Sequence, residues 1–337
     1  MPGRVRRLIL ERMNTIVFAG ANRMLERGRV PCYIIVTPHL AHLAPLAAQN
    51  HGAGIQPVFV ANGIDKTDRD WLRTISPDVP IITLKTSFRG NSKSLLEHGI
   101  VINCMTATDD SEFCIQDADC FIFDSAFWRG LTLNLETHYA AGPFLREAGA
   151  GKPEFPETFL LMLNATLLRE YRQRYGITAE TAAVPRNRAR GILAEAGYPE
   201  GTFIDSFKNY YDTLQQFWIV ASHEGFHYKV VPGDGETVFH LGGTSYLHAD
   251  FSDLEHWDYW ALNVQYFHLR LLEMPACHRF RERFRGLIDF HGRTDRLLSR
   301  YPEFAPGWRR HLSDKIIDAT RANDLYGGLI SQSTDSE

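Results

Sequence analysis

A parallel α/β sheet with both faces covered by helices is the fold this sequence predicts, and three short apolar runs predict it. Residues 31–37, 56–62 and 79–84 are each too short for a helix and too uniformly apolar for a strand with one wet face. Strands buried on both faces read this way, and the stretches between them have the length of crossover helices. The chain therefore begins as strand, helix, strand, helix, strand, the rhythm of a mostly parallel sheet.

Taken in order, residues 1–30 read as an amino-terminal amphipathic helix. The first 29 residues hold seven arginines against two glutamates, with Leu, Ile, Val and Phe at roughly helical spacing. Glu11, Arg12 and Asn14 interrupt the apolar run that a signal peptide or spanning helix needs. A surface helix packed on the next domain is the favoured reading, and a weak peripheral membrane contact is the alternative. Strand 31–37 leads to an alanine- and leucine-rich helix at 40–49. Strand 56–62 leads to a polar helix near 68–74, strand 79–84 follows, and 95–105 reads as a helix. Residues 112–116 form a fourth strand that runs into Asp117-Ala118-Asp119-Cys120-Phe121-Ile122-Phe123-Asp124.

Beyond this point the rhythm changes. Residues 142–157 are rich in Gly, Pro and Ala, and 156–175 carry both strand and helix character. A helix at 213–223 and strands at 228–231 and 237–241 follow, then mostly amphipathic helix over 255–325. The expected organisation is an amino-terminal helix (1–30), a main α/β domain (31–262) that divides into residues 31–125 and 126–262, and a carboxyl-terminal helical extension (263–337).

Composition narrows the function. With 337 residues, 44% hydrophobic, the chain can bury a full core without crosslinks. Its 36 basic and 40 acidic residues leave a net charge of -4, which excludes a general nucleic-acid binder that works by neutralising phosphates. The five cysteines show no C-x-x-C spacing and are odd in number, so a reducing cytoplasm is the expected home.

The chemistry centres on Asp117-Ala118-Asp119. Alternate side chains of an extended segment point the same way, so both carboxylates can share one hard cation while Ala118 faces the body. Two carboxylates one residue apart in an apolar run otherwise repel each other, although turn formation or capping is the competing explanation. A divalent ion held there suits a diphosphate leaving group.

With the three βα units before it, Ser94 to Asn103 just upstream and His240-Leu-Gly-Gly-Thr-Ser245 far downstream, this D-x-D resembles that of the GT-A fold glycosyltransferases, over roughly residues 31–262. The resemblance implies an α/β, GT-A-like mixed and mostly parallel sheet flanked by helices, with the amino-terminal helix and carboxyl-terminal extension appended. It implies transfer of a sugar from a nucleotide-diphosphate sugar to an unknown acceptor (glycan, lipid-linked glycan or small molecule), with Mn²⁺ or Mg²⁺ as cofactor. Asp117, Asp119 and His240 become the metal set, with His248 as rival for the third place and a core role as the other explanation of His240. Thr37 and Asn62 stand at strand ends where base and ribose would be read. Arg89 and Lys93 are placed to meet the diphosphate. Asp65, Asn103 and the backbone around Ala118 complete the donor set, although Asn62-Gly-Ile-Asp65 also fits turn chemistry. Asp212 is the candidate general base of an inverting transfer, and with Gln215 it also fits a capping box. Asp205 is its alternative, and a retaining mechanism needs neither.

Three rivals compete. His223-Glu224-Gly225-Phe226-His227 matches the H-E-x-x-H of zinc metallohydrolases, but Gly225 is expected to end the helix before the second histidine. A haloacid dehalogenase phosphatase would place its D-x-D after the first strand, not the fourth. A non-catalytic sugar-nucleotide-binding protein is the third. The stripe Arg279 to Arg285 reads as a helix face whose arginine stems cover apolar neighbours, against an anionic acceptor or membrane contact.

Overall fold

A computed structural model describes residues 3–87, 95–109, 111–146, 155–181, 188–198, 211–233, 237–242, 267–268, 270–284, 311 and 314–318. Helix α1 (Gly3–Asn22) precedes β1 (Val30–Val36), α2 (Ala44–Ala47), β2 (Ile55–Ala61), α3 (Lys66–Ile75), β3 (Ile81–Thr83), α4 (His98–Thr106) and β4 (Glu112–Asp117). Then come β5 (Cys120–Ile122), α5 (Phe127–Gly130), β6 (His138–Gly142), β7 (Leu145–Arg146), β8 (Phe155–Pro156), β9 (Leu160–Asn164) and α6 (Ala165–Tyr175). Helices α7 (Arg190–Glu195) and α8 (Gln215–His223) and strands β10 (His227–Val230) and β11 (Val238–His240) follow.

Seven strands form one sheet in the order β10-β6-β9-β4-β1-β2-β3. Strands β3, β2, β1 and β4 are mutually parallel, β9 is antiparallel to both β4 and β6, and β10 runs parallel to β6. The expected mixed, mostly parallel sheet is therefore present. Alternate residues of β1 feed opposite faces: Tyr33 and Ile35 enter a core with α1, α4, α6 and α8, whereas Ile34 and Val36 enter one with α2, α3 and the carboxyl-terminal segment. Double-sided burial is why these strands read as unbroken apolar runs. A ring such as Phe59, fully buried in β2, contributes about 2–3 kcal/mol of hydrophobic stabilisation.

Chain order reverses around β1, which has β2 on one side and β4 on the other. Register pairs Val36 with Ala61 and Ile35 with Asp117, so three carboxyl ends lie nearly level. Ligands of open α/β sheets bind at such a switch point.

Two sequence expectations change in the structure. The helix expected at 40–49 contracts to Ala44–Ala47, because residues 37–43 are held in successive turns, with Leu40 N–H on the Thr37 carbonyl and Leu43 N–H on the Leu40 carbonyl. The undecided stretch 156–175 holds a strand and a helix with no linker. Asn164 is the last residue of β9 and also the N-cap of α6, its side chain accepting from Leu167 N–H. Of the helical extension, 267–268, 270–272, 311 and 314–318 are helical, 273–274 form a turn and Pro275–Phe284 is a 3-10 segment; the rest lies outside the described residues.

Candidate active site

Strand β4 ends on Asp117, whose N–H donates to the Phe159 carbonyl at 2.9 Å just before β9 begins. A turn through Ala118 and Asp119 then starts β5, which pairs antiparallel with β11 so that His240 lies opposite Cys120. The N–H of Leu241 donates to the Asp119 carbonyl at 2.9 Å. This ribbon carries a residue from late in the chain to the end of the central strand. Ala118 is fully buried in the core that holds α2 and α3, but residues 118 and 119 form a turn, so this turn, not the alternation of an extended segment, brings the two carboxylates together.

Ligating atoms of Asp117, Asp119 and His240 all lie within 4.8 Å of one another. His240 Nε2 is 3.5 Å from Asp119 Oδ1. The Phe159 ring stacks on the imidazole at 3.8 Å with 15° between planes, which fixes the orientation of the ring. Neighbouring ligands around an octahedral Mg²⁺ or Mn²⁺ sit about 3 Å apart, and two carboxylates plus one imidazole are a donor set such ions accept.

The electrostatics agree with the geometry. Asp119 is 3% exposed, so its charge needs a local partner. Burial first, and then the Asp119 carboxylate, push the Asp117 pKa up, while His98 and His240 oppose the rise. Burial alone would lower His240, but Asp119, through charge and a hydrogen bond, and then Asp117 and Glu157, outweigh it and raise its pKa. A divalent cation relieves the repulsion between the two carboxylates.

Sequence reasoning passed over two contributors. His98, first residue of α4, acts electrostatically on Asp117, and its Nε2 is buried with no hydrogen-bond partner. Buried polar atoms are nearly always hydrogen-bonded, so this one calls for a partner. Phe159 gave no signal in sequence, because its role depends on strand pairing.

The remaining candidates divide by what their polar atoms do. Thr37 follows β1 at the level of the carboxylates and is partly exposed. The Asn62 amide is engaged at both ends by residue 96, its Nδ2 donating to the Leu96 carbonyl and its Oδ1 accepting Leu96 N–H, each at 2.9 Å. Its evident work is to hold the segment leading to His98, where direct reading of a nucleotide had been expected. Asp65 is the N-cap of α3, accepting Asp68 N–H at 2.8 Å, which is the turn chemistry weighed for it. Asn103 accepts Ala179 N–H at 2.9 Å and reaches Glu180, binding α4 to that loop. Gly99 belongs to the same contact: a Cβ there would lie 2.4 Å from Glu180 Cα. Asp212 Oδ1 accepts Thr213 N–H and Gln215 Oε1 accepts Asp212 N–H at 2.6 Å, but the N-cap of α8 is Leu214, with no side-chain cap bond, so the capping box expected of Asp212 is not formed. Arg89, Lys93, Asp205 and His248 lie outside the described residues.

The zinc-hydrolase geometry is not formed. Helix α8 stops at His223, Gly225 has φ +89°, and His227 already begins β10 with its N–H on the Thr137 carbonyl. The two histidines share no helical face, and Glu224 accepts a hydrogen bond from the Tyr175 hydroxyl. The basic stripe is also accounted for in part: Arg279 and Arg283 both pair with the buried Asp68, and the Phe280 ring is buried between helices.

The central strand of a mostly parallel sheet thus delivers a carboxylate pair to the switch point. The family comparison is more particular: residues 10–168 match the family described as the StrH glycosyltransferase N-terminal domain. No curated protein matches the chain in sequence. Among solved structures it is similar to the galactosyltransferase LgtC in complex with donor and acceptor sugar analogues, at 14% identity over 44% of this chain and 65% of that one, TM-score 0.31. It is similar to the glycosyltransferase GlyE of Streptococcus pneumoniae TIGR4 at 12% identity over 44% and 38% of the two chains, TM-score 0.32. Glucosyl-3-phosphoglycerate synthase from Mycobacterium tuberculosis, in complex with Mn²⁺, uridine diphosphate and phosphoglyceric acid, matches at 11% identity over 67% and 84%, TM-score 0.34. The chain thus spans less than two thirds of the length of LgtC and of GlyE.

Proposed function

We propose that this protein transfers a sugar from a nucleotide-diphosphate donor to an acceptor hydroxyl, with a divalent cation, Mn²⁺ or Mg²⁺, held by Asp117, Asp119 and His240. The single observation that carries the reading is the convergence of those three side chains at the carboxyl end of the central strand. Bound there, the cation supplies Lewis-acid stabilisation of the departing diphosphate. The chain's own groups do the rest. His98 is proposed to donate from its unpartnered Nε2 to a phosphate oxygen, Asn62 to hold the segment before His98 through Leu96, and Thr37 to meet the nucleoside. Arg89 and Lys93 are proposed to meet the diphosphate. Asp212 is proposed as the base that accepts the acceptor proton, which places the attacking hydroxyl opposite the leaving group and inverts the anomeric carbon. The cytoplasm suits five free, buried cysteines.

A thermal-shift panel of UDP-, GDP-, CDP- and dTDP-sugars, with and without Mn²⁺, tests this reading. One nucleotide class should raise the melting temperature only when the ion is present, because a ligand of the native state stabilises it by mass action. If no sugar nucleotide stabilises the protein with either ion, the proposal fails.

A further inference from the structure

Helix α1 has two faces of unequal purpose. Leu10, Asn14 and Phe18 are buried against the domain. Asn14 joins the segment after β3, donating to the Lys85 carbonyl at 3.0 Å and accepting its N–H at 2.7 Å. This inner face fully accounts for the docking of the helix, yet the outer face is not a polar one. Among the described residues, six large hydrophobic side chains are exposed, and four of them, Val5, Leu8, Ile16 and Met24, are on α1 or the turn that ends it. Residues 5, 8 and 16 follow helical spacing along one side. Around them stand the exposed Arg6, Arg12, Arg23 and Arg27, none in an ion pair among the described residues. No exposed acid lies on α1, since its one glutamate, Glu11, is buried and paired with Arg172, and in the turn that follows the exposed Glu26 is paired with Arg29.

Exposed aliphatic side chains grouped on one helix face mark an interaction surface, and the arginines around them select a partner of negative charge. Aliphatic side chains interleaved with arginine are what an anionic lipid surface takes: acyl boundary for the first, headgroup phosphates for the second. A groove of about 700 Å³ between α1 and α6, bordered by Leu8, Arg12, Thr15, Arg169 and Arg172, gives a headgroup room beside the helix. Position adds the last step. Arg7 on α1 pairs with Glu97 and with Glu180, the latter at 2.6 Å, and Glu97 immediately precedes His98. The amino-terminal end of the outer face therefore begins at the rim of the carboxylate site, where a fifth of the six exposed apolar side chains, Leu95, also lies in sequence.

We infer that the outer face of α1 docks on an anionic lipid bilayer and that the site's acceptor is delivered from that surface. The docking stands on α1 alone; the delivery rests on the transferase reading above. The full-length protein is sedimented with vesicles of phosphatidylcholine and with vesicles of phosphatidylcholine plus phosphatidylglycerol. Binding to the anionic vesicles only is expected, weakened by added salt. The double variant Leu8→Glu with Ile16→Glu should lose roughly tenfold or more of that partitioning, with unchanged melting temperature and unchanged stabilisation by sugar nucleotide and Mn²⁺. Arg12→Glu with Arg23→Glu should do the same. Absence of wild-type vesicle binding, or binding that survives both variants, overturns the inference. So does a wild-type dimer in analytical ultracentrifugation that the apolar double variant turns into a monomer, because the face then belongs to a second copy. Lipid binding that follows these rules without any nucleotide response leaves the docking in place and removes the transferase reading alone.

Discussion

The two halves of the sheet are built on different principles. From β1 to β4 each strand is parallel to its neighbour and buried on both sides, and each is joined to the next by a helix-containing connection. From β6 to β10 the antiparallel β9 is wedged between β4 and β6, so sequence neighbours are not sheet neighbours. The first half supplies both carboxylates from adjacent positions at one strand end. The second supplies Phe159 and, through the β5–β11 ribbon, His240. Charge is thus local to the regular half, while orientation and the proposed third ligand, His240, are borrowed from the irregular one.

That division predicts a graded response to substitution. The largest effect belongs to the regular half: Asp119→Asn keeps shape and removes charge, and should weaken Mn²⁺-dependent donor binding about a hundredfold by isothermal titration. Retained metal-dependent affinity would sink the assignment. Next comes Asp212→Asn, which preserves the acceptor atom that Thr213 N–H uses. Transfer should fall roughly a hundredfold while donor binding and melting temperature hold. Near-normal turnover would leave Asp212 only its hydrogen bond with Thr213 and favour Asp205 or a retaining route. Gly99→Ala drives a Cβ against the backbone at Glu180 and should cost about 2–3 kcal/mol in urea unfolding. An unchanged midpoint would show that the contact yields easily.

Smaller effects probe the borrowed parts. His240→Ala should reduce metal affinity by about tenfold with little change in thermal stability. Severe destabilisation with normal metal binding in the folded fraction would make the residue core. The mildest test is acid. Burial, opposed by hydrogen bonds to Ala48, Gln116 and Gln49, lowers the His51 pKa from 6.5 to about 4. The folded state then binds fewer protons than the unfolded one, so this contribution is intact above pH 6.5 and declines as pH falls from there toward 4. His51→Gln should flatten the melting temperature across that window, and an unaltered acid slope would assign the loss to other groups such as buried His42.

How much of this was legible in sequence follows the same line. Apolar runs at β1, β2 and β4 announced themselves because both of their faces are covered, and Asp117 and Asp119 stood out because carboxylates at the end of such a run need a reason. Strand β6 escaped notice: His-Tyr-Ala-Ala-Gly has neither a long apolar run nor a clean alternation, and its place depends on β9 and β10. The β9–α6 junction was ambiguous because Asn164 serves both elements. His98 was visible as a letter but not as a group, since only the fold reveals that its Nε2 is buried beside Asp117. Asn62, Asp65 and Asn103 were marked by position, and the structure shows their polar atoms engaged by backbone groups.

The stacking of Phe159 on His240, with Asp117 N–H on the carbonyl of that same Phe159, has a kinetic meaning. The pieces that complete the proposed cation site arrive from widely separated stretches of chain, and loop closure delays such contacts relative to the βα units that precede them. The site is then among the last parts of the native state to assemble and among the first to come apart. A cation bound there acts as a latch: it should slow unfolding while leaving the folding rate nearly untouched, as for any interaction absent from the transition state.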